Sequence, residues 1–380
     1  MQSIYLDHAA ATPVDPAVFD VMRPYFTDKF YNPSALYLAA NDVSKDLLAA
    51  RTTVAGVLGA RPVELTFTAG GTEANNLAIA GVMRFFPGMH AVASAIEHDS
   101  VLHAVKQYDH SIAPVDTSGM VDLTALEAAV SDKTVLVSIM YANNEIGTIQ
   151  PLQRIAALLD VIRQKRKRAG NDLPLYFHTD AAQAANYLDL HVSRLGVDLM
   201  TLNGGKIYGP KQSGVLYIHS GVRIRPLVYG GGQEHGLRSG TENVAGIVGF
   251  AEALRRTQTL RGDETHRLQE LQQYFIRELQ QAVPSVIVNG STKKRLPNNV
   301  HLTLPGQDNE RLLFALDGQG IQAAAGSACS ASNDRPSHVL RAIGLTDAAA
   351  RSSLRFTMGR RTTRTDIDTT IRVLSGLLAQ

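Results

Sequence analysis

The chain has 380 residues, 44% of them hydrophobic, which is enough for one large domain with a buried core and a second, smaller one. A formal net charge of +2 is too small to indicate direct nucleic-acid binding or an anionic membrane. No apolar run approaches the roughly 18 residues of a membrane span. The N-terminus lacks the pattern of a signal peptide, so we expect a cytoplasmic protein.

Strand and helix patterns alternate along the first 250 residues at the spacing of βαβ units. Helices are predicted at residues 72–82, 123–130 and 152–168. The predicted strands are residues 63–68, 90–95, 111–115, 135–140, 173–178, 199–202 and 214–218. Because these strands are short, continuously apolar and separated by helices, they indicate an α/β fold with a mostly parallel seven-stranded sheet that is buried on both faces.

The pattern changes after about residue 250. Residues 251–282 predict one long amphipathic helix, or two with a break. Short strands follow at 286–288, 299–303 and 321–324, then a helix after Pro336 and a last helix at 366–378. This part indicates a smaller α+β domain. The basic run at 163–168 is interpreted as the solvated end of a helix, where cations suit the helix dipole, rather than as a targeting patch.

Three segments of the first part suit an anionic, carbonyl-bearing ligand. Residues 69–73 (Ala-Gly-Gly-Thr-Glu) join a strand to a helix, where backbone N–H groups bind phosphate; an ordinary glycine turn is the alternative. Asp180 follows an apolar strand, as ligand groups of open α/β sheets do, or it caps a helix. Lys206 lies between buried strands, where desolvation favours the neutral amine that forms a Schiff base. Together the three segments indicate pyridoxal phosphate (PLP), with Asp180 on the ring nitrogen.

Cys329 is the only cysteine, which excludes an intrachain disulfide and a metal site built on several thiolates. A lone cysteine is most often a small buried hydrophobe. Residues 323–332, however, consist of Ala, Gly and Ser around this thiol. Small neighbours favour an exposed loop and a reactive thiolate.

The sequence resembles the cysteine desulfurases of the NifS/IscS-like family, within the class V PLP-dependent aminotransferase superfamily. The similarity covers nearly the whole chain. It is carried by six segments: residues 5–13 (YLDHAAATP), 67–76 (FTAGGTEANN), 143–147 (NNEIG), 230–234 (GGGQE), 238–243 (RSGTEN) and 326–330 (GSACS). The resemblance implies the PLP-dependent transferase fold of type I, with a large PLP-binding domain at residues 13–260. Residues 1–12 and 261–380 would form the small domain that carries the cysteine loop.

The resemblance also implies the roles of individual residues. Lys206 binds the cofactor covalently and moves the substrate proton, while His98 stacks on the cofactor ring and assists proton transfer. Arg355 clamps the substrate carboxylate with its guanidinium, and Asn144 contacts cofactor or substrate; a surface cation is the alternative for Arg355. The implied cofactor contacts are Gly71, Thr72, His98, Asn144, Asp180, Gln183, Asn203, Gly205, Lys206 and, across a homodimer interface, Thr241 of the partner subunit.

The implied reaction converts L-cysteine to L-alanine and leaves a persulfide on Cys329. The sulfur then passes to an acceptor protein of iron–sulfur cluster assembly, or to a sulfur carrier for thio-cofactors or tRNA thiolation. No resident metal is predicted, although Cys329 would transiently contact an iron–sulfur cluster. Alternatives are a class V aminotransferase, a selenocysteine lyase or an inactive binding protein on the same fold.

The sequence departs from the family immediately before the lysine. The family usually has Ser-x-His-Lys, in which Ser and His bind phosphate, whereas this chain has Asn203, Gly204, Gly205 and Lys206. Weaker PLP binding, replacement by a nearby side chain and a decayed enzyme are the three possible outcomes. The last is disfavoured because Lys206, Asp180, His98 and Cys329 are all present.

Overall fold

The computed structural model describes residues 3–326 and 336–379. Its strands are β1 (Ile4–Tyr5), β2 (Leu65–Thr68), β3 (His90–Ser94), β4 (Asp109–Ala113), β5 (Thr134–Ser138), β6 (Tyr176–Asp180), β7 (Leu199–Asn203), β8 (Gly214–Ile218), β9 (Ile287–Val288), β10 (Asn299–Thr303), β11 (Ile321–Gln322) and β12 (Ser353–Thr357). Its helices are α1 (Pro16–Met22), α2 (Pro24–Thr27), α3 (Leu38–Leu58), α4 (Gly71–Phe85), α5 (Asp99–Val105), α6 (Leu123–Ala129), α7 (Leu152–Arg168), α8 (Val192–Leu195), α9 (Val244–Ala282), α10 (Asn309–Gly318), α11 (His338–Ala342), α12 (Asp347–Arg351) and α13 (Arg364–Leu378).

The largest sheet has seven strands in the order β2-β8-β7-β6-β5-β3-β4. Only β8 runs antiparallel to its neighbours β2 and β7. The prediction of a mostly parallel seven-stranded sheet is therefore confirmed. Most of its strands are buried at every residue, which explains their continuous apolar runs in the sequence.

Helices cover both faces of this sheet. On one face, Leu77 of α4 and Val101 of α5 pack with Ala91 and Leu199. On the other face, side chains of α3, α7 and α9 pack with strand residues that alternate with the first set, such as Val92 and Met200. Since the parallel strands end at one edge of a layer covered on both sides, their carboxyl ends are the exposed edge where a ligand can bind.

The C-terminal part forms an antiparallel sheet in the order β12-β10-β9, and the N-terminal β1 pairs with β11 in a second small sheet. Residues 244–282 form the single helix α9, not two helices with a break. This helix runs through the predicted domain boundary at residue 260, and the division of the chain into two domains stays a prediction. None of the helices in the described ranges is long and apolar enough to cross a membrane.

The end of α7 differs from the prediction of a solvated basic run. Arg166 is 5% exposed, and its guanidinium donates to the carbonyl oxygens of Thr134, at 2.8 Å, and Ser131. Arg163 donates to the Leu175 carbonyl at 2.9 Å and pairs with Asp198 at 2.6 Å. These two arginines bind the sheet, so only part of the run is solvated.

Candidate active site

A cavity lies at the carboxyl ends of the central strands and the N-terminus of α4. It brings together most of the residues that the sequence singled out. Of these, the lining contains Gly71, Thr72, His98, Asn144, Asp180, Gln183, Asn203, Lys206 and Arg355. The cavity is also lined by five residues to which the sequence analysis assigned no role: Ala9, Ala10, Asn75, Ser100 and Met140. Cys329 lies outside the described residues.

The glycine turn before α4 forms an open cradle. Gly70 has a φ of 120°, a backbone conformation that favours glycine, and α4 begins at the next residue. A Cβ at Gly71 would lie 3.3 Å from the Asn203 side chain, closer than side chains usually approach. Both glycines therefore keep the helix N-terminus accessible, as an anion-binding turn requires.

Asp180, at the end of β6, is 7% exposed. Its Oδ2 accepts a 2.7 Å hydrogen bond from the Asn75 amide, and its Oδ1 accepts one of 2.9 Å from the Ala182 backbone N–H. The two interpretations of this residue coexist, because the carboxylate caps the following turn and also lines the cavity. A carboxylate at this point can hold a cationic ring nitrogen.

Below Asp180, β6 carries a buried histidine. His178 bonds Ser138 Oγ through Nδ1 at 2.8 Å and Thr201 Oγ1 through Nε2 at 3.1 Å. Burial lowers its pKa to about 4, although Asp180 opposes the shift. His178 is therefore neutral at physiological pH, and its ring bridges the three central strands without adding charge beneath the site.

Lys206 ends the short 3-10 turn Gly204–Lys206 that follows β7. Its Nζ donates to the carbonyl oxygens of Ala9, at 2.8 Å, and Ala10, at 2.5 Å. Gln183 Nε2 donates to the same Ala9 carbonyl at 3.0 Å. The N-terminal segment therefore covers the lysine, a long-range contact that no local pattern indicates.

Arg355 is not a surface cation. It lies in the middle of β12, and its side chain is 1% exposed. Its Nη2 pairs with Asp7 Oδ1 at 2.7 Å, and its Nη1 donates to the Asn144 carbonyl at 3.0 Å. These bonds fix the guanidinium at the wall of the cavity, opposite in charge to a substrate carboxylate.

The departure before the lysine has a defined geometry. Asn203 Oδ1 accepts a 3.1 Å hydrogen bond from the Gly205 N–H, so this side chain caps its own turn. Gly205 is buried and is not part of the cavity lining. A Cβ at Gly205 would meet Asn203 Oδ1 at 3.5 Å and Lys211 Cγ at 3.8 Å, which are ordinary contacts. A larger side chain at this position therefore has room for its first atom.

Thr241 is exposed and does not belong to the lining of this cavity within the described part of its own chain. A role for it across a dimer interface stays a prediction.

A buried carboxyl lies next to His98. Glu97 is fully buried; its Oε1 accepts from Ser94 Oγ at 2.6 Å and from the Met140 N–H at 2.7 Å. Its Oε2 has no hydrogen-bond partner among the described residues. Burial raises the pKa of Glu97 to about 8, and the nearby charge of Asp180 adds to the shift. Sequence inspection missed this group, because nothing local shows that a glutamate is desolvated.

Comparison with known proteins shows which family the chain belongs to. The family model of class-V aminotransferases matches residues 4–370. A cysteine desulfurase IscS of Dictyoglomus turgidum is 40% identical, over 99% of this chain and 95% of the relative. A cysteine desulfurase IscS of Methanosarcina thermophila is 39% identical, over 98% of this chain and 91% of the relative. A solved NifS-like protein superimposes with a TM-score of 0.90 at 31% identity, covering 100% of both chains. A NifS-like protein from Rickettsia africae gives 0.88 at 30% identity, with the same coverage.

The chain belongs to the class V aminotransferase family, and within it to the NifS/IscS-like cysteine desulfurases. Enzymes of this family depend on PLP, and the cavity fits that group. The turn at Gly70 and Gly71 leads directly into the N-terminus of α4, where backbone N–H groups can bind a phosphate. Asp180 and Lys206 line the same cavity, so a carboxylate and a primary amine, the two groups that this cofactor requires, are both present there.

Proposed function

We propose that Lys206, Arg355 and Cys329 have three different roles in a PLP-dependent cysteine desulfurase that converts L-cysteine to L-alanine. Lys206 holds the cofactor and moves the substrate proton, Arg355 binds the substrate carboxylate, and Cys329 accepts the sulfur. The observation that carries the proposal is the convergence of Lys206, Asp180 and Arg355 on one cavity from β7, β6 and β12.

The bound cofactor supplies an electron sink for negative charge that develops at the substrate Cα. The α4 turn at Gly71 and Thr72 would hold its phosphate, and Asp180 would keep its ring nitrogen protonated. Asn144, Gln183 and Asn203 line the remaining wall. In this proposal Asn203 would contact the phosphate through its Nδ2, because its Oδ1 accepts from the Gly205 N–H and an amide oxygen cannot donate to a phosphate.

The substrate is oriented by Arg355. A guanidinium whose Nη atoms are already fixed by Asp7 and Asn144 loses little freedom when it binds a carboxylate, so it orients the ligand at low entropic cost. With the carboxylate held there, Lys206 Nζ removes the proton from the substrate Cα. The bonds of Lys206 Nζ to the Ala9 and Ala10 carbonyls have to break before this step, when the amine engages the cofactor.

Sulfur transfer completes the reaction. The Cys329 thiolate attacks the substrate sulfur, so an S–S bond forms as the Cβ–S bond breaks, and alanine leaves after one proton is taken up at Cβ and one is returned to Cα. An acceptor thiol then takes the outer sulfur of the persulfide. We propose an iron–sulfur scaffold or another sulfur carrier as that acceptor.

A homodimer in which Thr241 of the partner subunit reaches the phosphate, and a cytoplasmic location, belong to the same proposal. Exposed aromatic side chains support the dimer, because Phe26 is 63% and Phe30 is 66% exposed.

Sulfide release from L-cysteine in the presence of a reductant tests the proposal. Wild type should release sulfide, whereas Lys206→Ala and Cys329→Ser should be inactive. A Cys329→Ser variant as active as wild type would remove the persulfide step. If that variant instead produced alanine only when pyruvate is supplied as amino-group acceptor, the chain would be an aminotransferase.

A further inference from the structure

A chain of hydrogen bonds connects Asp180 to His98 through two residues without an assigned role. Asn75 is fully buried, and its Nδ2 donates to Asp180 Oδ2 at 2.7 Å and to Ser100 Oγ at 2.9 Å. Because a carboxylate only accepts, the amide must turn its nitrogen toward Asp180. Both hydrogens of that nitrogen are thereby committed, one to Asp180 and one to Ser100.

The direction of the second link is set by a backbone group. The Ser100 backbone N–H donates to His98 Nδ1 at 3.1 Å, and an N–H can only donate. Ser100 Oγ lies 2.8 Å from the same nitrogen. Because this oxygen already accepts from Asn75, its own hydrogen can serve as a second donor to Nδ1.

A neutral imidazole that accepts at Nδ1 carries its hydrogen on Nε2. The opposite tautomer would place a hydrogen against the Ser100 backbone N–H and lose that hydrogen bond, while the Ser100 hydroxyl could turn to accept; the loss disfavours this tautomer by roughly three- to tenfold. Nε2 is then the ring nitrogen that serves the cavity, which His98 lines.

We propose that His98 acts as a hydrogen-bond donor through Nε2 to the group bound in the cavity, and that Asn75 and Ser100 are positioning residues that fix this tautomer. The proposal rests on the proposed function, which places His98 against the cofactor. It sharpens that function, because a nitrogen that already carries a hydrogen does not accept the proton from the substrate Cα. That task is left to Lys206.

Nuclear magnetic resonance of the holoenzyme with ¹⁵N-labelled histidine rings tests the tautomer. The chain has 12 histidines, and loss of one ring signal set in His98→Gln assigns the residue. Long-range ¹H–¹⁵N correlation should show a protonated Nε2 and an unprotonated Nδ1. A protonated Nδ1 with a bare Nε2 in the wild type would overturn the proposal.

The positioning role needs a matched pair of variants. Ser100→Ala removes the hydroxyl donor and keeps the backbone one, so the Nε2–H fraction should fall and kcat should drop by roughly three- to tenfold. Ser100→Thr keeps the hydroxyl and should restore both. If Ser100→Ala changes neither the ring signals nor kcat, Ser100 does not position His98. If wild type releases no sulfide from L-cysteine, the proposed function fails, while the ring signals still decide the tautomer.

Discussion

Glu97 gives the chain a pH-dependent stability that can be isolated with one substitution. Burial raises the pKa of this carboxyl from 4.5 to about 8. The folded protein therefore keeps a proton that the unfolded chain loses above about pH 4.5. The stabilising contribution of Glu97 is fully present below that pH and is lost as the pH rises through about 8. Replacement by the isosteric glutamine removes this titration.

The size of the effect follows from the two pKa values. Each pH unit between them changes the free energy of unfolding of wild type, relative to Glu97→Gln, by about 1.4 kcal/mol. From about pH 5 to pH 8 the difference between the two proteins should grow by about 4 kcal/mol in favour of the variant. The amide can still accept from Ser94 and Met140 through one oxygen, and its nitrogen replaces the unpartnered Oε2. Any cost of that replacement is constant with pH.

Urea unfolding of both proteins at a series of pH values measures the difference. All other titrating groups are common to the two proteins and cancel. Curves of unfolding free energy that diverge above pH 5 and become parallel above about pH 8 would support the reasoning. Curves that stay parallel from pH 5 to pH 9 would refute it, because they would mean that Glu97 is ionised in the folded protein at all of these pH values.

Two further predictions concern the cavity. Asp7→Ala removes the ion pair of Arg355 and leaves its hydrogen bond to the Asn144 carbonyl, so the KM for L-cysteine should rise by roughly ten-fold with little change in kcat. Asp7→Asn keeps a hydrogen-bond acceptor and should raise the KM less. A fall in kcat without a change in KM would contradict the role of Arg355. Gly205→His should tighten PLP binding in a titration of the apoenzyme, and Gly205→Ala is the control for backbone effects. Equal PLP affinities for wild type and Gly205→His would show that another group already binds the phosphate in place of the family's histidine.

Local sequence patterns were sufficient for the strands of the large sheet and for the central strand of the small antiparallel sheet. Residues 214–218 and 299–303 were predicted with the bounds that the strands have, and α7 likewise. These segments are buried throughout or have a helical apolar stripe, so their periodicity reports their environment directly. Asp180 and Lys206 could be placed near each other because both follow parallel strands, whose carboxyl ends share one edge.

Other features depend on contacts between distant parts of the chain. The strand β12 was not predicted, because an arginine at its centre, Arg355, is not expected in a buried strand. Its ion-pair partner Asp7 is distant in the sequence, and their contact appears only in the structure. The 21-residue helix α3 was also missed. Asn75 lies within a segment that carries the family resemblance, and Ser100 follows His98 by two residues, yet their link to Asp180 and His98 is visible only in three dimensions.

Mass spectrometry of Cys329 after a single turnover tests the central claim most directly. Enzyme loaded with PLP is mixed with L-cysteine, free thiols are trapped with an alkylating reagent, and the peptide that contains Cys329 is weighed. The account predicts that this peptide gains one sulfur atom in wild type and gains none in Lys206→Ala. Alanine formation without any added sulfur on the Cys329 peptide would contradict it.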